Sequence, residues 1–388
     1  MAWELGAGYG HLAPLLTLAR ALAQDGHEVS FAVRDMAAAE TVLAGSGIPF
    51  YPAPANLNPT PGVSLHSYPQ ILLSTAFNRE DELAARTRAW RSLFQELRPD
   101  VLVADHSPTA LLAARGRDLP CVIAGNGFVI PPAVSPLPEL RPWAPEGPAL
   151  LERAEAEALE RANGVATALG APRLGRLAEL YADAAPALFT FRELDNYADL
   201  REGAGYWGPL PGPGGAPPRW PEGPGKRVFL YGHLFPSLPQ VLESLAAGPH
   251  RTLAYIPRLP AELRRHASAH LGFADMLQDM AAVTHGCDAA VMTSGHSSTA
   301  AMLLAGKPVA LLPLYLEMFL IARGVEELGA GLSAPVLTPQ GILDTLERVL
   351  HEPRFAEKAR AFADEYRHWD PASPVQKFQA LVARLAGR

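Results

Sequence analysis

The chain has 388 residues, 48% hydrophobic and 19% charged, which is the balance of a globular protein long enough for two cores. A net charge of −7 without any basic run excludes the usual nucleic-acid binder, and no apolar stretch reaches the roughly 20 residues of a membrane span. With no signal peptide and only Cys121 and Cys287, each in an apolar context, the expectation is a soluble cytoplasmic protein with reduced thiols.

In chain order, a short apolar start leads into the glycine cluster "GAGYGH". Residues 12–24, LAPLLTLARALAQ, carry leucine and alanine at helical spacing; Gly26 stops the helix, and HEVSFAV follows as a buried strand. AAAETVLAGSG predicts a second helix and IPFYPAP a short strand. PDVLVADHSPTALLAARGRDLPCVIAGNG reads as strand, turn, helix and strand. Residues 50–95 and 128–165 are less regular and aromatic-bearing, so Phe77, Trp90 and Phe128 are expected to contact an acceptor ligand.

The stretch 208–225, GPLPGPGGAPPRWPEGPG, reads as a linker between a domain at 1–207 and another at 226–388. The second half repeats the alternation: KRVFLYGH (strand), LPQVLESLAAG (helix), HRTLAYIP (strand), CDAAVMTSG (strand), SSTAAMLLAG (helix) and KPVALLPLY (strand). The tail is amphipathic and helical, with Thr338 as an N-cap. The pattern predicts an α/β protein of two Rossmann-like, doubly wound domains facing across a cleft, with ligands bound beyond the carboxyl ends of the strands.

Two loops would line such a cleft. In the first, a dinucleotide fingerprint wants its third glycine where His11 stands. Asp35, after the second strand, still imitates the ribose-binding acid of a nicotinamide enzyme, so that reading stays open. A bland alternative gives His11 only a helix-turn role. Its place at a strand-to-helix turn among small residues, with Pro14 near the helix start, suits a base that takes a proton near neutral pH. Asp105, ending the strand VLVAD, is the candidate partner that orients the imidazole, or else the N-cap of the next helix, a role Ser107 fills equally well. His106 competes for either role, although strand alternation turns it to the opposite side.

The second loop is TSGHSST, residues 293–299. Thr299 replaces the closing glycine of a GxSxG nucleophile elbow, which speaks against a serine hydrolase. Gly295, with the backbone N–H groups and hydroxyls of Ser297, Ser298 and Thr299 at a helix N-terminus, instead fits an anion cradle; a serine-rich helix cap is the plain alternative.

These residues carry a resemblance. GYGHLAPLLTLARALAQDGHEV, VLVADHSP and DAAVMTSGHSSTAAMLLAGKPVALLPLYLEMFLIARGVEELGAGL, in this order, resemble the nucleotide-sugar-dependent glycosyltransferases of the UGT and macrolide-transferase family, which have the GT-B fold. The resemblance implies an N-terminal acceptor domain, a C-terminal donor domain and a last helix, about 373–388, crossing back to the first. It implies inverting, metal-independent sugar transfer to a small-molecule hydroxyl, with His11 as base and Asp105 as its partner and no cofactor beyond the nucleotide sugar. Donor contacts fall on Gly232, on Ser294, Gly295, His296, Ser297, Ser298 and Thr299, and on the pair Glu317-Met318.

The chain departs from that pattern at Ser294, where the family has a phosphate-contacting histidine, at Met318 in place of glutamine, and at Ile321 in place of asparagine. His296 lies two positions from the first and is a candidate substitute. The loss of the amides leads to the expectation of a donor with fewer hydroxyls, such as a deoxysugar, unless Met318 and Ile321 merely pack in the core. Two rival classes remain: a non-catalytic protein binding a ligand or partner with the same cleft, and the nicotinamide-dependent enzyme.

Overall fold

A computed structural model describes residues 1–6, 9–56, 60, 65–201, 203–212 and 214–387. In chain order the elements are β1 (Ala2–Trp3), α1 (Tyr9–Gln24), β2 (Phe31–Val33), α2 (Met36–Val42), β3 (Phe50–Pro52), α3 (Tyr68–Ser74), α4 (Glu80–Leu97), β4 (Leu102–Asp105), α5 (Pro108–Ala114), β5 (Cys121–Gly125), α6 (Pro148–Ala168), α7 (Glu179–Ala182) and β6 (Ala185–Leu188). There follow β7 (Arg227–Tyr231), α8 (Leu238–Ala247), β8 (Arg251–Tyr255), β9 (Leu271–Phe273), α9 (Met280–Gly286), β10 (Ala289–Met292), α10 (His296–Leu304), β11 (Val309–Leu311), α11 (Leu316–Leu328), β12 (Gly331–Ser333), α12 (Pro339–His351), α13 (Pro353–Glu365) and α14 (Ser373–Leu385).

The chain divides into two compact units, Met1–Leu210 with Pro371–Arg388, and Pro211–Asp370. Each is built on a six-stranded sheet, in the orders β3-β2-β1-β4-β5-β6 and β12-β11-β10-β7-β8-β9. The strand pairings within both sheets are parallel, which explains why strands such as AAVM and LVAD are buried along their whole length rather than alternating. In both orders the topology reverses beside a central strand, at β1/β4 and at β10/β7. Ligands of doubly wound sheets bind outside the carboxyl ends at such a switch point.

Three helices, α3, α4 and α6, lie where the sequence reads as irregular. The segment EDELAARTRAWRSLFQEL forms α4, opened by Glu80, Asp81 and Glu82, whose charges favour a helix N-terminus. The alanine-rich α6 starts on Pro148, which sets the first-turn dihedral and needs no N–H there. Conversely, α1 begins at Tyr9, so Pro14 lies inside the helix and not near its start.

In the first unit α14 packs on α1. Phe378, Leu381 and Val382 are buried in one cluster with Leu15, Leu18, Leu22 and Phe31, and Gln379 donates to the carbonyl of Ala21 and to Asp25. Truncating Phe378, which has no exposed surface, removes a fully buried ring. Phe378→Ala is expected to cost about 3–5 kcal/mol. In chemical denaturation the transition of the first unit moves to lower denaturant and that of Pro211–Asp370 stays in place; equal shifts of both would show that α14 is not specific to the first core.

Candidate active site

β1 and β4 run side by side with Trp3 opposite Asp105. Because the pair is parallel, both carboxyl ends reach the same sheet edge, and the turn into α1 brings His11 back over the end of β4. His11 Nδ1 lies 3.0 and 3.1 Å from the two carboxylate oxygens of Asp105, and both side chains are largely buried. The indole of Trp3 stacks on the imidazole at 5.5 Å, with 23° between the planes.

Gly6 explains the glycine cluster. Its φ is +88°, a left-handed conformation, and a Cβ built on it would stand 2.1 Å from His11 Nε2, so only glycine leaves room for the ring. Gly8, the second glycine of the GxG, lies outside the described residues. Asp35 accepts a hydrogen bond from Ala38 N at 2.9 Å and is the N-cap of α2, which accounts for the acid the nicotinamide reading required.

Asp105 does not cap α5. Ser107 is the N-cap residue, and its hydroxyl donates to the carbonyl of Asp105 at 3.0 Å. The donors at that helix start are met by a residue the sequence reading passed over, Glu4. Its Oε2 accepts from the backbone N–H of Thr109 at 2.8 Å and of Ala110 at 3.3 Å, while Oε1 accepts from Trp90 Nε1 at 2.6 Å. Glu4 has no exposed surface. Burial pushes its pKa up to about 7, against the pull of these hydrogen bonds. No local pattern marks Glu4, which follows β1 and finds its partners on α4 and α5.

His106 is not on the opposite side. Its φ is +45°, so the extended alternation ends at Asp105 and the ring swings back to 6.2 Å from His11, packed against Tyr68 and Phe128. Desolvation, and then the proximity of His11 and Arg34, hold its pKa well below the ordinary histidine value. Phe128 thus belongs to the surroundings of the dyad. Trp90 and Phe77 do not present an acceptor surface: Trp90 is buried with Ala2, Ala32 and Phe94 and spends its N–H on Glu4, and Phe77 is fully buried. Trp90 lies on the inward face of α4 and Phe77 in the turn before it, and both large aromatics serve the core first.

In the second unit β10 ends beside β7, and Thr293 N donates to the carbonyl of Tyr231 at 3.2 Å. Gly232 permits this approach, since a Cβ there would meet the Thr293 side chain at 2.5 Å. Ser294 follows at φ +56°, and Gly295 is the N-cap of the nine-residue α10. Ser294 is 1% exposed and its hydroxyl has no partner among the described residues. Of the three hydroxyls read as an anion cradle, two are engaged locally: Ser298 Oγ donates to the Gly295 carbonyl at 3.0 Å, and the fully buried Thr299 turns its Oγ1 to Met292 Sδ at 3.6 Å. The first N–H groups of α10 have no intrahelical acceptor by geometry, and half-buried Ser297 and His296 stand in that turn. Desolvation lowers the His296 pKa to about 4, so it is neutral near pH 7.

Glu317 is half-buried in the first turn of α11 between exposed Tyr315 and Phe319. Met318 and Ile321 are 3% and 4% exposed on the opposite, inward face. These departures are core residues, and the deoxysugar expectation drawn from them lapses. Among the described residues no group of three His, Cys, Asp or Glu is placed to hold a metal, and no helix is long and apolar enough to cross a membrane.

No known family profile matches the chain. It is 27% identical over 337 residues to the PGL/p-HBAD biosynthesis glycosyltransferase of Mycobacterium tuberculosis strain H37Rv, covering 79% of this chain and 78% of that one. It is 40% identical over 88 residues to the elloramycin glycosyltransferase ElmGT of Streptomyces olivaceus, covering 23% of this chain and 22% of the relative. Another curated glycosyltransferase is matched over only 5% of its own length. A crystal structure of the glycosyltransferase VinC in complex with dTDP superposes with a TM-score of 0.70 at 19% identity, covering 100% of this chain and 99% of that one. The architecture is the GT-B fold, and the resemblance to macrolide-type glycosyltransferases read from the motifs is borne out.

Two outcomes test this geometry. Gly6→Ala is expected to displace the His11 ring and break its contact with Asp105, visible in a crystal structure of the variant; an unmoved ring would refute the steric argument. For Glu4, the folded pKa of about 7 lies above the ordinary 4.5, so its stabilising contribution is complete below the lower value and is lost as pH rises through the upper. The stability difference between wild type and the non-titrating Glu4→Gln should therefore fall by roughly 3 kcal/mol across that window in denaturant unfolding; a difference that rises would contradict it.

Proposed function

We propose that this GT-B protein is an inverting glycosyltransferase that moves a sugar from a nucleoside diphosphate to a hydroxyl of a small-molecule acceptor. The observation that carries the reading is the contact of both Asp105 oxygens with His11 Nδ1. An ionised carboxylate only accepts hydrogen bonds, so the proton resides on Nδ1 and Nε2 is the basic nitrogen. The acceptor hydroxyl gives its proton to Nε2 as its oxygen bonds to the anomeric carbon. The bond from that carbon to the diphosphate breaks on the opposite face, which inverts the configuration. Asp105 then faces an imidazolium, whose charge it offsets.

The departing diphosphate gains negative charge and needs fixed positive dipoles. The N-terminus of α10 would supply these, and the buried hydroxyl of Ser294 beside it, unpartnered among the described residues, supports the assignment. His296, its pKa lowered to about 4 by burial, would not meet the diphosphate as a charge. Glu317 remains the candidate to accept from a sugar hydroxyl. The glycosyltransferase names of the relatives and the dTDP in the VinC structure support the enzyme class and the donor class. The reading places the enzyme in the cytoplasm, where the free thiols of Cys121 and Cys287 stay reduced.

His11→Ala should lower kcat by about 10²–10⁴-fold and leave the affinity for UDP or dTDP, measured calorimetrically, unchanged. Wild-type turnover in this variant would leave His11 with only its place in the turn.

A further inference from the structure

We infer that Glu4 is a positioning residue for the His11–Asp105 pair: its carboxylate ties the end of β1 to the first turn of α5 and to α4, so that the two turns carrying the pair keep one register. This rests on the dyad reading above. Three N–H groups from two different helices converge on the one side chain, those of Trp90, Thr109 and Ala110. A carboxylate accepts from all three with two oxygens; a glutamine must turn its own N–H groups toward one donor, and an alanine leaves three buried donors without partners.

The bonds made by residues 3–5 lead mainly to the dyad and the turn behind it. Trp3 pairs with Asp105 across the strands and lies flat on the His11 ring. Its indole N–H donates to the Leu5 carbonyl at 2.7 Å, and Leu5 N donates to the His106 carbonyl at 3.0 Å. Glu4 closes the set by holding Thr109 and Ala110, while Ser107 links that turn back to the Asp105 carbonyl. The strand contributing this clamp is only two residues long, Ala2–Trp3, so the ladder alone fixes the register weakly. The side-chain bonds of Glu4 supply what a longer strand would have given. Glu4 is fully buried and acts through its neighbours.

The pair separation is sensitive to such a shift, since a displacement on the order of 1 Å costs up to about 100-fold in rate when reacting groups must be aligned. The test compares Glu4→Gln in the wild-type and His11→Ala backgrounds, together with the downfield proton NMR signal of His11 Nδ1–H. Glu4→Gln is expected to shift or broaden that signal and to lower kcat about 10-fold or more, with dTDP affinity unchanged. In the His11→Ala background the same substitution should cost less than about 2-fold, because the group it positions is gone. Trp90→Phe, which frees one Glu4 oxygen and keeps the helix cap, should move the signal in the same direction and serves if Glu4→Gln does not fold. An unmoved signal, or an equal loss of rate in both backgrounds, overturns the inference. If the wild type transfers no sugar to any acceptor, the transferase reading fails, and the NMR comparison still decides the role of Glu4.

Discussion

The parallel pairing of β1 with β4 is the constraint from which the first site follows. It sets Trp3 against Asp105 and delivers both strand ends to one edge of the sheet. His11 and Asp105 are 94 positions apart in the chain, and nothing local joins them. Were the two strands antiparallel, one would end where the other begins and the residues would lie at opposite edges. The exclusion of water from that edge then decides the chemistry available there, because every polar group in it must be matched or carry a free-energy cost. Glu4 meets three such donors, and Asp105 meets the imidazole.

The second unit applies the same constraint to a different end. β10 lies between β11 and β7, and its carboxyl end turns directly into α10. Gly232 lets the turn come close to the end of β7, and Ser294 takes a left-handed conformation that an L-residue adopts at a cost. A strained residue with an unmatched buried hydroxyl at a helix N-terminus is poor design for stability alone. In the proposed reading the oxygens of a diphosphate would supply the acceptor that this hydroxyl lacks among the described residues.

How far the sequence could be read follows from what each feature depends on. The α/β alternation, the parallel sheets and the Thr338 cap were legible because periodicity and turn chemistry carry them locally, and the pairing of His11 with Asp105 because both stand at strand ends that a parallel sheet delivers to one edge. Trp90 and Met318 were misread because exposure depends on which face of a helix meets its neighbours, which the residue type alone does not tell. His106 was misread because alternation was carried one residue past the end of β4, where a positive φ breaks it. Glu4 went unnoticed because its three partners come from α4 and α5, about a hundred positions away, and no local pattern announces them.

The presence of two imidazoles at one sheet edge raises the question of which one takes a proton. His11 and His106 stand 6.2 Å apart, close enough that a charge on either disfavours a charge on the other. Asp105 contacts His11, whereas both ring nitrogens of His106 are buried without a partner among the described residues. Desolvation is the first cause that depresses His106, and the field of His11 adds to it. The neutral state of His106 is therefore built in by burial, and it leaves His11 as the imidazole on which the Asp105 charge acts. A protonated neighbour would share that charge and oppose formation of the His11 imidazolium. The apolar packing of His106 by Tyr68 and Phe128 thus has an electrostatic consequence, because it keeps the second ring from competing with the first.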